Sequence, residues 1–392
     1  MRNRSLGLTL FGALAIVVSA CGGGATPSPS ASAPAPSASG PAPSESASAE
    51  PSASLTPLRV GVVTDVGQLE DKSFNEFSNA GAEAAADATG GEHDVIVTAN
   101  ISDYGANIQS FVDGGYDVIV TIGFLIGTDT AIAAKANPDV TFVGVDQGIC
   151  VDANGDPDPT FACEGDAATL LPNYQGIVFA EAQPGYLAGI VAASVSESGV
   201  IGAVGGTNVP AVVNYWRGYE NGAKSINPDI TVLYQETDPD PAKGFNDTAK
   251  GRAIAEQFIG QDADVLFQIA GNTGVGVLEA TCNADLVGIG VDVDQSQSIP
   301  NLADCILTSA EKKLEATVQA VVESVASGTF KAGTQVYNAA SEPAAVGLSP
   351  FGGANADKIT PEIEAAIEEA TAGFIDGSLD PCSPVKCTVS GS

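Results

Sequence analysis

Residues 58–75 read LRVGVVTDVGQLEDKSFN. The first six are a short apolar run rich in β-branched side chains, the composition of a strand covered on both faces. From Ser73 onward, SFNEFSNAGAEAAADA reads as a helix. A plain turn between strand and helix needs a turn residue and an N-cap and little else. This one carries Asp65, Asp71, Phe74 and Asn75. The unit is the first strand–helix step of an α/β fold, and its surplus of polar and aromatic groups points to a ligand.

The step recurs along the chain. HDVIVTAN, YDVIVTIG and VTFVGVD read as strands, with helices between them at YGANIQSFVDGG and GTDTAIAAKANP. Strand and helix in alternation predict a parallel sheet built from right-handed crossovers. Residues 147–173 break the pattern with a Gly-, Pro- and Asp-rich insert bracketed by Cys150 and Cys163. Then a second set follows, with strands at QGIVFAE, GVIGAVGG, ITVLYQET, ADVLFQIAG and DLVGIGVD. A last strand, CILTSA, leads to the helix EKKLEATVQAVVESVASG and a mixed tail. Two similar α/β lobes in series are the layout of type I periplasmic binding proteins, each lobe a parallel sheet with helices on both faces and the ligand cleft between them. The expected lobes are 57–178 with 309–330, and 179–308 with 331–392.

The totals restrict the function. The 392 residues carry a formal charge of −33, which makes nucleic acid a poor partner. The one histidine, His93, lies in a polar GGEHDV turn, so catalysis by a histidine-supported nucleophile would rest on a single residue. No GxxxxGK[ST] and no GxSxG occurs. GNTGVGVLE at 271–279 imitates a dinucleotide fingerprint but has Glu279 at the third glycine's position, so no cofactor is expected. Asp152, Asn154, Asp156 and Asp158 alternate as in a calcium loop, yet Pro157 and Cys163 stand where that loop needs Gly and Glu, and no metal is expected.

The start of the chain is an export signal. Arg2 and Arg4 precede an apolar core over residues 6–18, too short to span a bilayer, ending in VSAC. Residues 1–20 are expected to be removed and Cys21 to be lipidated. Residues 21–56, rich in Ala, Ser and Pro, cannot bury enough apolar surface to offset their ordering entropy and read as a tether. The expected location is the extracytoplasmic face of the cell membrane. Six further cysteines, 150, 163, 282, 305, 382 and 387, suggest disulfides in an exported chain. Of fifteen pairings the sequence-local one is favoured: 150–163, 282–305 and 382–387.

In open α/β sheets ligands bind beyond the carboxyl ends of the strands. There stand Asp65 with Phe74 and Asn75, Asp146, Phe245 in GFND, Gly271 and Asn272, Asp292, and Lys312 in SAEKK. Trp216 follows GVIGAVGG. Each alone is more simply a cap, a core ring or a solvated charge. Together they suit a neutral, polyhydroxylated ligand with a flat ring: carboxylates accept from hydroxyls, aromatics stack, and Asn reads a base edge. Asp71 reads as a cap or hinge residue.

The segments VVTDVGQLEDKSFN, GYDVIVTIGFL, GIVFAE…YLAG, GFND, IAGNTGVGVLEA, GIGVDVDQ and LTSAEKK together resemble the basic membrane protein family of ABC importer lipoproteins, which includes a purine nucleoside receptor. The resemblance implies a nucleoside held between the lobes. Phe74 and Phe245 would stack on the base, Asp65 and Asn75 read its edge, Asp146 match the fourth-strand acid, Asp292 bind ribose, and Lys312 or Lys313 supply the site lysine. It also implies a membrane permease as partner, a monomer, and binding without chemistry. A sugar ligand, or a nucleoside-hydrolysing enzyme, are the alternatives. Asn272 and the 147–173 insert depart from the family pattern.

Overall fold

The computed structural model describes residues 55–387 apart from position 241. The expected export signal, Cys21 and nearly all of the expected tether lie outside the described residues. The first set of elements is β1 (Arg59–Val63), α1 (Phe74–Thr89), β2 (Glu92–Ile96), α2 (Tyr104–Asp113), β3 (Val118–Ile122), α3 (Gly127–Ala136), β4 (Thr141–Val145), α4 (Ala167–Leu170) and β5 (Tyr174–Phe179). The second is α5 (Ala182–Val195), β6 (Val200–Gly205), α6 (Pro210–Ile226), β7 (Thr231–Glu236), α7 (Thr248–Ile259), β8 (Val265–Ile269), α8 (Gly271–Asn283), β9 (Val287–Asp292), α9 (Gln295–Ser298) and β10 (Ile306–Lys312). The tail adds α10 (Leu314–Ala326), β11 (Gly333–Tyr337), β12 (Val346–Leu348) and α11 (Pro361–Asp376).

Two six-stranded sheets result, in the orders β11-β5-β4-β3-β1-β2 and β12-β10-β9-β8-β6-β7. The first is parallel throughout; the second is parallel except for its edge strand β12, which runs antiparallel to β10. In both, the order reverses beside the first strand of the set, the position where an open sheet forms a crevice at its carboxyl edge. The central strands are predominantly apolar because helices cover both faces: β3 and β9 are buried along their whole length.

Strand pairing corrects the expected lobe boundaries. β10 carries residues through Lys312 into the second sheet, so 309–312 belongs to the second lobe. α10 packs on α1 and β11 pairs with β5, so the chain returns to the first lobe before β12 goes back to the second. The lobes are thus joined by three short crossings, at residues 180–181, 313 and 338–345. Lys312, read as part of a helix start, is instead the last residue of a buried strand.

The three disulfides are Cys150–Cys163, Cys282–Cys305 and Cys382–Cys387, the sequence-local pairing. The first closes the insert; the last closes a short loop, where the carbonyls of Val385 and of Pro381 just before it accept from Asn221 on α6. No helix among the described residues is long and apolar enough to cross a membrane.

Candidate functional site

The carboxyl ends of the strands of both sheets open into one cavity enclosing about 690 Å³ of non-atom space out to its mouth. Asp65, Phe74, Asn75 and Asp146 line it from the first lobe, and Phe245, Gly271, Asp292 and Lys312 from the second. Trp216 and Asn272 do not. Trp216 stacks on Tyr234, ring centroids 4.1 Å apart, with the Arg217 guanidinium 3.7 Å from its ring. Helix α6 turns its neighbour Tyr215 into the cavity instead. Asn272 donates its amide to Asn246 at the surface, 2.8 Å away.

The β1–α1 turn is built around Asp71. Its carboxylate accepts from the backbone N–H of Ser73, Asn75 and Glu76 at 3.0, 2.9 and 3.2 Å, satisfying the orphan donors at the start of α1. That fixes Phe74 and Asn75 at the first positions of the helix, facing the cavity. The Asn75 amide donates to the Gln68 carbonyl, and its Oδ1 is buried without a partner. Asp65 accepts from the Val66 N–H at 2.7 Å and from the Tyr104 hydroxyl. Its carboxylate needs Gly123 opposite, because a Cβ there would lie 2.0 Å from Asp65 Oδ2. Across the cleft, Phe245 lies on Gly206, where a Cβ would come within 2.1 Å of its ring.

Lys312 is the electrostatic centre. Its ammonium donates to Asp146 Oδ2 at 2.5 Å and lies 3.4 Å from Glu181 Oε1 and 3.9 Å from Asp292 Oδ1. The rings of Phe74, Phe179 and Tyr215 surround it at 5.1, 5.5 and 5.6 Å. Burial alone would lower the lysine, but the three carboxylates outweigh it and hold the group above its ordinary value. Burial pushes Glu181 up to about 7 and Asp292 upward as well, while Lys312 pulls both back. Asp146 and Asp292 sit at the ends of β4 and β9 in the left-handed region, φ 58° and 65°. Held local strain of this kind gathers at binding sites. Asp146 Oδ1 is buried without a partner.

Glu181 and Tyr215 were not singled out from the sequence. Glu181 ends the run QGIVFAE, so the rule that found Asp65, Asp146 and Asp292 also finds it. Tyr215 is a matter of helix register, which the NYW triplet alone does not settle. The insert's acids serve their own loop. Asp152 accepts from the Asn154 and Asp156 N–H groups, Asp156 pairs with Lys135 at 2.6 Å, and Asp158 accepts from the Thr160 and Cys163 N–H groups. His93 lies on β2 against Asn79. The cavity therefore offers a phenylalanine from each lobe, unpartnered acceptor atoms on Asn75 and Asp146, and a lysine already engaged by carboxylates.

The chain matches the family described as Bmp, PnrA-like ABC transporter substrate-binding protein, over residues 58–373. It is 31% identical over 343 residues to the ABC transporter nucleoside-binding protein BmpA of Lactococcus lactis subsp. cremoris, covering 83% of this chain and 89% of that one. It is 30% identical to basic membrane protein B of Borreliella burgdorferi, over 63% of this chain and 68% of that one. Among solved structures, an ABC transporter solute-binding protein from Aeropyrum pernix K1 superposes with a TM-score of 0.70 at 22% identity, covering 83% of this chain and 93% of that one. A second, from Conexibacter woesei, has a TM-score of 0.62 at 24% identity, covering 82% and 98%. Three of these four are described as ABC transporter binding proteins, and this chain belongs to the Bmp family of ABC transporter substrate-binding proteins.

Proposed function

We propose that this protein captures a nucleoside, a purine nucleoside by preference, between its lobes and delivers it to a membrane permease powered by a cytoplasmic ATPase. Lipid on Cys21 and the tether over 21–56 hold it, as a monomer, at the extracytoplasmic face. The observation that carries the reading is the cavity wall itself: Phe74 and Phe245 from opposite lobes, with acceptor atoms of Asn75 and Asp146 left unpartnered. Buried acceptors without donors are rare, and a ligand with N–H and O–H groups supplies them. The two phenylalanines stack on the base, Asp65 and Asn75 read its edge, and Asp146 and Asp292 accept from the ribose. Lys312 offsets part of the charge of the acids and so lowers the cost of burying them. The nucleoside-binding name of the Lactococcus relative supports the same class.

Ligand-dependent thermal shift with guanosine, inosine, adenosine, uridine, free bases and ribose tests this. A nucleoside present at a hundred times its Kd should add about 2.7 kcal/mol of stability. Purine nucleosides should shift the midpoint most, and Phe74→Ala should weaken their binding by about 1–3 kcal/mol. A shift with ribose alone would keep the fold and overturn the ligand.

A further inference from the structure

We propose that Phe161 is a specificity-determining residue of this cavity, carried to its mouth by the disulfide-closed insert. The inference rests on the nucleoside reading above. Phe124 follows β3 and lines the cavity. Phe161 stacks on it from the insert, ring centroids 6.5 Å apart and planes 13° from parallel. Its residue remains 45% exposed, and its backbone is in the left-handed region at φ 55°. That conformation is costly for a bulky side chain, and an exposed ring recovers little of the cost from burial.

The surrounding loop is built to hold it. Cys163 is also left-handed, at φ 48°, and is bonded to Cys150. Asp158 accepts from the Thr160 and Cys163 N–H groups at 2.9 and 3.0 Å, and its carbonyl accepts from the Phe161 N–H at 3.2 Å. The root of the insert is tied to the turn that presents Phe124: Gln147, just after Asp146, donates its amide to the Gly123 carbonyl at 2.9 Å. Ring, disulfide and root thus form one tied lip against Phe124 of the cavity lining. A planar neutral group at the mouth gains an aromatic partner there. A ligand without a planar ring gains little, and a charged one loses hydration against an apolar surface.

The test uses the full chain and measures Kd and release rate for guanosine, inosine and ribose. Phe161→Ala should weaken both nucleosides by about 3- to 10-fold, mainly through faster release, and ribose less. The double variant Cys150→Ser with Cys163→Ser, which frees the ring, should lose as much. Phe74→Ala is the control for the cavity. If Phe74→Ala loses guanosine while Phe161→Ala releases it at the wild-type rate, the lip is structural and the inference fails alone. If wild type binds neither nucleoside, the nucleoside reading fails and takes this inference with it.

Discussion

At the scale of single residues, the acids around the cavity are charged against resistance. Burial pushes Asp65 up to about 6, although the Tyr104 hydroxyl pulls it back, and pushes Asp71 and Glu181 up to about 7. In the unfolded chain these groups titrate near 4, so between about pH 4 and pH 7 the folded state holds more protons. Their contribution to stability is complete below about pH 4 and is lost as the pH rises through 6 to 7. The melting midpoint of the ligand-free protein should therefore fall between about pH 5 and pH 7.5. Asp65→Asn keeps an acceptor for Tyr104 and the Val66 N–H but removes one titration, so its curve should be shallower. Parallel curves for the two proteins would take Asp65 out of the account. The strand-end acids are legible in the sequence because several recur at the carboxyl ends of apolar runs, where any one alone would read as a cap. The true place of Lys312 is not, because SAEKK looks like an exposed helix start; only its three carboxylates make a buried lysine there tolerable.

At the scale of elements, the site depends on how closely two helices approach. α5 carries Gly185 and Gly189, and α6 carries Gly218 and Gly222, each pair four residues apart. A Cβ on Gly189 would lie 2.2 Å from the Tyr219 carbonyl oxygen, and one on Gly222 would lie 2.0 Å from that of Tyr186. The backbones touch, and this approach sets Glu181, just before α5, and Tyr215, on α6, beside Lys312. Alanine normally favours a helix over glycine by about 1 kcal/mol. Here the clash is with backbone, and overpacking should reverse the sign: Gly189→Ala should cost about 1–3 kcal/mol in urea unfolding. A neutral or stabilising result would mean that the helices can separate without loss. Strands and helices of the two sets are readable because period and apolar runs are local. β11, β12 and α11 are not, because β11 is exposed at alternate positions and β12 is only three residues long. Which lobe each joins is a tertiary choice that no local pattern encodes.

At the scale of the whole molecule, the lobes are held together by polar interactions that need no ligand. The Ser73 hydroxyl, in the first lobe, donates to Asp292 Oδ2 in the second at 2.7 Å. The Lys72 carbonyl, presented by a left-handed residue at φ 60°, accepts from the Gln295 amide at 3.3 Å and the Ser298 hydroxyl at 3.0 Å. Lys312 reaches from the second sheet to Asp146 in the first. If closure and binding are one equilibrium, affinity depends on the fraction of molecules already closed, and each of these bonds raises that fraction. Ser73 and Ser298 do not line the cavity. Ser73→Ala removes a hydrogen bond to a carboxylate, worth about 1.5–3 kcal/mol, and should weaken ligand binding tenfold or more. Ser298→Ala removes a neutral bond worth about 0.5–1.5 kcal/mol and should weaken it only a few-fold. Both variants should expand the ligand-free protein in small-angle scattering and regain the wild-type radius at saturating ligand, because each removes one of the hydrogen bonds that bridge the lobes. Weaker binding with an unchanged ligand-free radius would place the effect on the Asp292 carboxylate itself and not on closure.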